Sequence, residues 1–175
     1  LLKLDHPAAN VARLAALVGD MAAVSGRARL LELTVRRVQR DLGYERVAFH
    51  APRGDGTLVT ETEAGAAPAV PDPEALRWAL RLAAPLEASR TETAAELAVP
   101  VRAGEHALGV LTVLRGRPGP FDEEETSLLS TLGGQLALAL RRAESEAATE
   151  HIARQMATLY DLGLETAALQ DLQAL

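Results

Sequence analysis

The chain has 175 residues, of which 48% are hydrophobic and 3% aromatic, and its formal net charge is −6. This is enough apolar material for one domain with a core and extensions, but too few aromatic residues for a large aromatic-lined chromophore cavity. Because an acidic surface repels phosphate backbones, we expect no nucleic-acid binding by this segment. The absence of cysteine excludes disulfides, thiolate metal sites, thiol catalysis and thioether cofactor attachment.

Two further patterns concern location. No apolar run reaches the roughly 18 residues of a membrane span, and no signal peptide is recognisable, so we expect no membrane contact by this segment. The lack of disulfides fits a cytoplasmic protein. The chain begins without Met, in a helix-like pattern, and we therefore expect it to be part of a longer protein.

The first part of the chain predicts two helices. A helix begins after His6 and Pro7 and extends to about residue 24. Its heptad-like apolar stripe comprises Val11, Leu14, Val18 and Met21. A second helix is predicted from about residue 27 to residue 42, ahead of the helix-ending Gly43. Its buried side comprises Leu31, Val35, Val38 and Leu42.

A hairpin and a short helix come next. Residues 44–51 predict a strand in which Val47 and Phe49 face opposite to Ala48 and His50. A Gly-containing turn and a returning strand follow, over residues 52–56 and 57–63.

Beyond this hairpin, residues 64–71 are rich in Ala, Gly and Pro and predict a loop. Asp72 caps a helix that has Pro73 in its first turn and extends to about residue 84. Residues 85–93 predict a loop or a short edge strand.

The most informative stretch is residues 97–114, LAVPVRAGEHALGVLTVL. Leu97, Val99 and Val101 alternate with less apolar neighbours, which predicts a strand, and Gly104 suits a tight turn. Residues 107–114 are apolar on both faces. A strand of this kind belongs at the centre of a sheet that is covered on both sides.

The last helix is predicted to begin at Glu123. Asp122 and Glu125 have the spacing of a capping box, and three glutamates stand at the positive end of the helix dipole. An apolar stripe follows, formed by Leu129, Leu132, Leu136 and Leu140 and extended by Ala143 and Ala147. No proline occurs after Pro120, so we expect this helix to continue unbroken beyond the domain.

The second half of the chain has a pattern that consists of the apolar-V-P-V strand, the polar turn, the strand ALGVLTV, and PFDEEE followed by a long apolar helix. This pattern resembles the second half of a GAF domain. GAF domains are small sensor and dimerisation modules of signalling proteins, and the resemblance covers about residues 14–147. It implies an α/β (α+β) fold, similar to GAF and PAS domains. An antiparallel sheet of five or six strands would carry the terminal helices on one face and a short helix with loops on the other.

The resemblance also implies a domain organisation. Residues 1–24 would form an N-terminal signalling and dimerisation helix, residues 25–147 the GAF domain, and residues 148–175 a C-terminal connecting helix. Residues 159–175 resemble the start of another GAF domain, so the chain would contain the first of a tandem pair.

The function implied is a sensory and dimerisation module that binds a small molecule or relays a signal to an output domain outside this segment. A histidine kinase, a diguanylate cyclase or a phosphodiesterase would be that output domain. Two alternatives stay open: an effector-binding domain of a transcription regulator, and a degenerate GAF domain with a purely structural role in dimerisation.

Catalysis is not expected from this segment. GAF-type methionine sulfoxide reductases use cysteines, which this chain lacks. Bilin-binding members often need a cysteine and several aromatic residues, and the cyclic-nucleotide signature N-K-F-D-E has no match. The four histidines, His6, His50, His106 and His151, fall on separate elements without metal-ligand spacing. We therefore expect no metal and no cofactor, and the identity of any small-molecule ligand is open.

Two sets of site residues follow from the resemblance. A pocket would lie on the sheet face away from the terminal helices, with Thr60, Trp78 and Arg90 as candidate ligand-binding residues. Trp78 would offer an indole donor beside an apolar wall, and Arg90 a bidentate partner for an anion. A parallel homodimer would form through Val11, Leu14, Val18, Met21, Leu136, Leu140, Ala143 and Ala147.

Overall fold

The computed structural model describes residues 7–66 and 71–173, with side chains for residues 9–66 and 71–158. The helices are α1 (Pro7–Ala23), α2 (Arg27–Leu42), α3 (Pro73–Leu82) and α4 (Glu123–Gln173). The strands are β1 (Arg46–Pro52), β2 (Leu58–Gly65), β3 (Leu86–Arg90), β4 (Ala95–Ala103) and β5 (His106–Arg115). The described strands form one antiparallel sheet in the order β2-β1-β5-β4-β3, which confirms the predicted fold class.

Strand β5 is the centre of this sheet, as its two apolar faces predicted. It pairs with β4 across a tight turn, where Gly104 has a φ of 61°, and with β1 on its other side. Gly109 lets the ring of Phe49 approach β5 closely, because a Cβ at residue 109 would lie only 2.4 Å from that ring. The two strands predicted within residues 97–114 are therefore confirmed.

Helices α1, α2 and α4 cover one face of the sheet, which we call the helix face. Its core consists of large apolar side chains from all three helices and from β1, β4 and β5. Phe49, Leu111 and Leu136 are completely buried there. Helix α2 has the predicted limits, and Gly43 ends it in the left-handed conformation, with a φ of 75°.

Four residues of the predicted dimer interface are part of this core, and the interface itself stays a prediction. Met21, Leu136, Leu140 and Ala143 are all buried within the single chain. The apolar period showed correctly that these positions are covered, but the covering surface is the chain's own sheet and neighbouring helices. The exposed members of the predicted set are Val11 and Ala147, with Leu14 and Val18 half-buried.

In the described part of the chain, the opposite face, which we call the α3 face, is covered by one short helix. Asp72 caps α3 by accepting a hydrogen bond from the Glu74 amide at 2.9 Å, as predicted. The helix ends at Leu82, two residues earlier than expected, because Ala83 has a positive φ of 51°. Arg102 of β4 also donates to the Leu80 carbonyl at 2.7 Å, which ties the end of α3 to the sheet.

Two loop predictions are refined. Residues 85–93 contain the edge strand β3, which pairs with β4. Strand β2 continues to Gly65, so the predicted loop over residues 64–71 is shorter at its start, and residues 67–70 lie outside the described part of the chain.

Helix α4 begins on the domain and continues beyond it. The Asp122 carboxylate accepts from the Glu125 amide at 2.7 Å, which is half of the predicted capping box. The other half is absent, because the Glu125 carboxylate binds Tyr44 and Arg115. Among the described side chains, Ala143 is the last that is buried, and every side chain from 144 to 158 is exposed. No helix in the described residues has both the length and the hydrophobicity that crossing a bilayer requires.

Candidate functional site

Strand alternation places a set of polar side chains on the α3 face. In β1, Val47 and Phe49 join the core of the helix face, so Arg46 and His50 face the other way. Arg46 and Glu96 both pair with Leu114 of the central strand, from its two sides, which puts them in one row across the sheet. We call Arg46, His50, Glu96 and Thr112 the polar floor. All four are buried.

His50 is held by hydrogen bonds at both ring nitrogens. Its Nε2 lies 3.0 Å from the Thr112 hydroxyl, and its Nδ1 lies 3.1 Å from the Thr60 hydroxyl. Burial lowers the pKa of His50 to about 4, with a further decrease from Arg46 that Glu63 opposes. The ring is therefore neutral near pH 7, with one nitrogen donating and the other accepting.

Glu96 is the least compensated polar group of the floor. Its side chain is 1% exposed, and neither carboxyl oxygen has a hydrogen-bond partner among the described residues. The nearest cation in this part of the structure is the Arg46 guanidinium, 3.8 Å from Oε1. Burial raises the pKa of Glu96, while Arg46 and Thr112 act in the opposite direction. A buried carboxyl group without hydrogen-bond donors destabilises a fold, so Glu96 is a candidate for contact with a ligand.

Arg46 is the cation of the floor and is held from the neighbouring edge strand. Its Nε and Nη2 donate to the Glu63 carboxylate of β2 at 3.1 and 2.7 Å. Glu63 is more than half exposed, so the guanidinium joins the buried floor to the rim of the sheet.

A groove of about 650 Å³ lies on the same side of the sheet, between the end of the β1–β2 hairpin and α3, and no residue of the floor lines it. Leu58 lines its strand side, and Arg77, Trp78 and Arg81 line its helix side. Trp78 is 49% exposed, and the Arg81 guanidinium lies 5.6 Å from the centre of its ring. The groove is thus partly apolar and carries two cations.

The three candidate ligand residues from the sequence do not meet in one place. Trp78 lines the groove, whereas Thr60 bonds His50. Arg90 lies on β3, at the sheet edge opposite to Thr60, and its guanidinium is bonded twice to Glu87, at 2.6 and 2.5 Å. A ligand-binding role for these residues stays a prediction.

Sequence reasoning missed the main members of the site. No sequence motif marks His50, Arg46 or Glu96 as functional. Strand alternation could have found Glu96. It lies two residues before Ala98 and therefore on the same face of β4, the strand next to the central strand β5, which is buried on both faces. In the described residues, no three carboxylate, histidine or cysteine side chains assemble as a metal site would need. The expectation of no metal remains a prediction.

A second buried polar cluster anchors the start of α4. The Glu125 carboxylate accepts from the Tyr44 hydroxyl at 3.0 Å and from Arg115 Nη1 at 2.6 Å. Arg115 also donates to the carbonyls of Gly119 and Pro120, each at 2.7 Å. Its guanidinium stacks 4.2 Å from the centre of the Phe121 ring. Burial and the Glu125 charge both raise the pKa of Tyr44, so its hydroxyl keeps its proton and donates.

A third set of contacts holds α4 where it leaves the domain. Arg27, at the start of α2, donates to both carboxyl oxygens of Glu61 on β2, at 3.0 and 2.9 Å, and to Glu144 of α4 at 3.0 Å. Arg142 donates to the Val24 carbonyl at 3.1 Å, beyond the end of α1. The junction between α1 and α2 therefore contacts both the sheet edge and the outgoing helix.

Solved structures confirm the architecture. The GAF domain of an Acinetobacter phosphoenolpyruvate-protein phosphotransferase matches with a TM-score of 0.66 and 19% identity, over 79% of this chain and 97% of that one. Free methionine-R-sulfoxide reductase from Neisseria meningitidis, solved with its substrate, matches with a TM-score of 0.71 and 17% identity, over 83% and 96%. The second GAF domain of DevS from Mycobacterium smegmatis matches with a TM-score of 0.58 and 24% identity, over 70% and 98%.

At these identities the structural matches show the fold alone. No curated protein matches the chain. The sequence profile of the GAF domain family matches residues 27–140, which is well over half of the chain and includes α2, all five strands, α3 and the first part of α4. The chain thus belongs to the GAF domain family.

Proposed function

We propose that this GAF domain is a sensory relay module, in which a small molecule binds on the α3 face and α4 carries the response to an output domain. The observation that carries the proposal is the geometry of α4. Glu125 in its first turn is bonded to the buried Tyr44 and to Arg115 of β5, and the helix has 51 residues and ends at Gln173. A shift at the sheet thereby acts on a rigid element that leaves the domain.

The contacts of Arg27 support a route for the signal. Strand β2 carries Thr60 and Glu63, which bond His50 and Arg46 of the polar floor. The same strand carries Glu61, which shares the Arg27 guanidinium with Glu144 of α4. A ligand that displaces β2 would therefore change the restraint on α4 at the point where it loses contact with the core.

A relay role accounts for these features better than catalysis does. The chain has no cysteine, so the thiol chemistry of GAF-type reductases has no nucleophile here. The one buried histidine of the floor is bonded at both nitrogens and stays neutral. A non-catalytic domain in the cytoplasm, coupled to a kinase or cyclase output, is our interpretation. The alternative is that this domain is the effector-binding domain of a transcription regulator, in which case the output domain is a DNA-binding segment.

We further propose that α4 pairs with its counterpart in a second copy of the chain. Leu138, Ile152 and Met156 are 62%, 54% and 67% exposed. Leu138 and Ile152 are two heptads apart, so they lie on one stripe. Isolated helices are marginal in water, and the exposed part of α4 gains stability from a parallel partner. Val11 of α1, also exposed, would extend this contact.

The relay is tested by changing the phase of α4 in the full-length protein. Inserting two residues after Glu146 rotates everything beyond by about 200°, whereas inserting seven nearly restores the phase, at 3.6 residues per turn. We expect the first insertion to change the output activity or its response, and the second to preserve both. If both insertions leave the output unchanged, α4 does not transmit a signal through its phase.

A further inference from the structure

We propose that the polar floor binds the ammonium group of a small aliphatic amine, with Glu96 as its counter-ion. This inference rests on the proposed role of the α3 face as a ligand site, and it assigns the chemical class of the ligand. The starting observation is that both oxygens of the buried Glu96 carboxyl lack hydrogen-bond donors among the described residues.

The charges around Glu96 favour a cation. The floor and its rim carry two carboxylates, Glu96 and Glu63, and one guanidinium, that of Arg46. Arg46 approaches Glu63 to 2.7 Å but Glu96 only to 3.8 Å, and His50 adds no charge near pH 7 because its pKa is about 4. With Glu96 ionised, this set has one negative charge in excess, and one monovalent cation would balance it.

Hydrogen-bond geometry favours an ammonium group over a metal ion. A primary ammonium has three donors, and the two Glu96 oxygens together with the neighbouring Thr112 hydroxyl oxygen offer three acceptors. A metal ion needs several oxygen or nitrogen ligands at short range, and no group of three suitable side chains occurs in the described residues.

The size of the surrounding side chains limits the ligand. Ala75 and Ala79 of α3 and Ala88 and Ala98 of the sheet pack together on this face, and Trp78 lies at the outer groove. A planar multi-ring ligand would need aromatic walls at the floor. A compact aliphatic amine needs only small apolar contacts and the carboxyl group.

Proton release is the most specific consequence. Burial raises the pKa of Glu96 above its ordinary value of 4.5, so over a range of pH above 4.5 the free protein holds a proton there that an ordinary carboxyl group would have lost. A bound ammonium favours the ionised carboxylate. Amine binding in this range must therefore release up to one proton, whereas a neutral ligand has no such effect on Glu96.

The experiment uses isothermal titration of the 175-residue chain with three amines, ethanolamine, n-butylamine and putrescine. The matched neutral probes are ethylene glycol, n-butanol and 1,4-butanediol. A well-placed ligand of this size reaches a Kd of about 1 mM or lower. We expect at least one amine to bind about tenfold or more tightly than its matched alcohol. Titration at several pH values between 5 and 7, each in two buffers of different ionisation enthalpy, measures the released protons.

Two variants test the residue assignment. Glu96→Gln removes the proposed counter-ion and should weaken amine binding at least tenfold and abolish the proton release. Glu105→Gln removes the same charge from the exposed turn between β4 and β5, away from the floor, and should change the affinity less than threefold. Circular dichroism of both variants confirms that they fold. Amine binding that is equal in wild type and Glu96→Gln, or no preference for the amines over the alcohols, overturns the assignment.

Failure of this assignment is distinguishable from failure of the relay. Native mass spectrometry of the purified chain shows any retained small molecule. If the purified chain instead retains a neutral or anionic compound that the Thr112→Val variant does not retain, the α3 face is still a ligand site, and only the assignment of the ligand as an amine is wrong. The α4 insertions test the relay independently of the ligand's chemistry.

Discussion

The two faces of the sheet are built from different materials. The helix face buries large side chains such as Phe49, Leu111 and Leu136 under three helices. The α3 face buries mainly alanines under one ten-residue helix, together with Arg46, His50 and Glu96. Apolar burial stabilises a fold in proportion to the area removed from water, so the helix face supplies most of the stability.

This difference in composition indicates that the helix face stabilises the fold and that the α3 face has a separate functional role. Buried polar groups lower stability unless they are fully bonded, and proteins retain them mainly where function requires them. The polar floor contains one histidine bonded at both nitrogens and one carboxyl without a hydrogen bond in the described structure. We therefore expect changes on the helix face to affect folding, and changes on the α3 face to affect ligand binding.

The largest effect is expected from cavities. Leu136→Ala on the helix face should lower the free energy of unfolding by about 2–5 kcal/mol, because a fully buried leucine is removed from a packed core. Val110→Ala, equally buried on the α3 face, should cost about 2 kcal/mol or less, since it removes fewer atoms from a thinner layer. Urea denaturation measures both. Equal costs would contradict the division between the faces.

The next effect concerns pH and His50. The pKa of His50 is about 4 in the folded protein against an ordinary 6.5, so below pH 6.5 the unfolded chain binds a proton that the folded protein does not. Stability should fall by about 3 kcal/mol from this group as the pH decreases from 6.5 to 4. Urea midpoints at pH 6.5, 5.5 and 4.5 test this prediction. His50→Gln should have a weaker pH dependence than wild type, and parallel curves would show that His50 does not contribute.

A smaller effect of opposite sign is expected at Glu96. Glu96→Leu should raise the free energy of unfolding by about 1 kcal/mol at pH 7.5, because it removes a buried carboxyl that lacks hydrogen-bond donors. Since burial raises the pKa of Glu96, the folded protein takes up a proton there more readily than the unfolded chain. The gain should therefore shrink as the pH falls towards 5. A loss of stability in Glu96→Leu at pH 7.5 would show that the Glu96 carboxyl has favourable interactions in the protein without a ligand.

The smallest effect is local to α3. Asp72→Ala removes the hydrogen bond to the Glu74 amide and should cost about 1 kcal/mol. The amide hydrogen-exchange rate in α3 should increase about fivefold. In α2, on the helix face, the exchange rate should increase only by the amount that the loss of global stability explains. Helix α2 is a suitable internal control because its N-cap, Gly26, makes no side-chain bond. Equal acceleration in both helices would show that α3 does not open separately.

Local patterns in the sequence were sufficient for most elements. The limits of α2, the Asp72 cap, the hairpin of β4 and β5, and the start of α4 at Glu123 were all predicted and are confirmed. Each depends on residues within a few positions of one another: a glycine after an apolar stripe, a capping side chain, or alternation along one strand. The resemblance to GAF domains supplied the antiparallel sheet and the arrangement of layers, which these local signals leave open.

Partners distant in sequence required the folded chain. An apolar stripe shows that Leu136 and Leu140 are covered, but not that the chain's own sheet covers them. Glu125 had the spacing of a capping box, yet Tyr44, 81 positions away, binds its carboxylate. Arg46 and Glu96 meet only because β1 and β4 flank β5 in the sheet. Alternation determines which face a side chain occupies, whereas strand order decides which charges share that face, and strand order is a property of the whole chain.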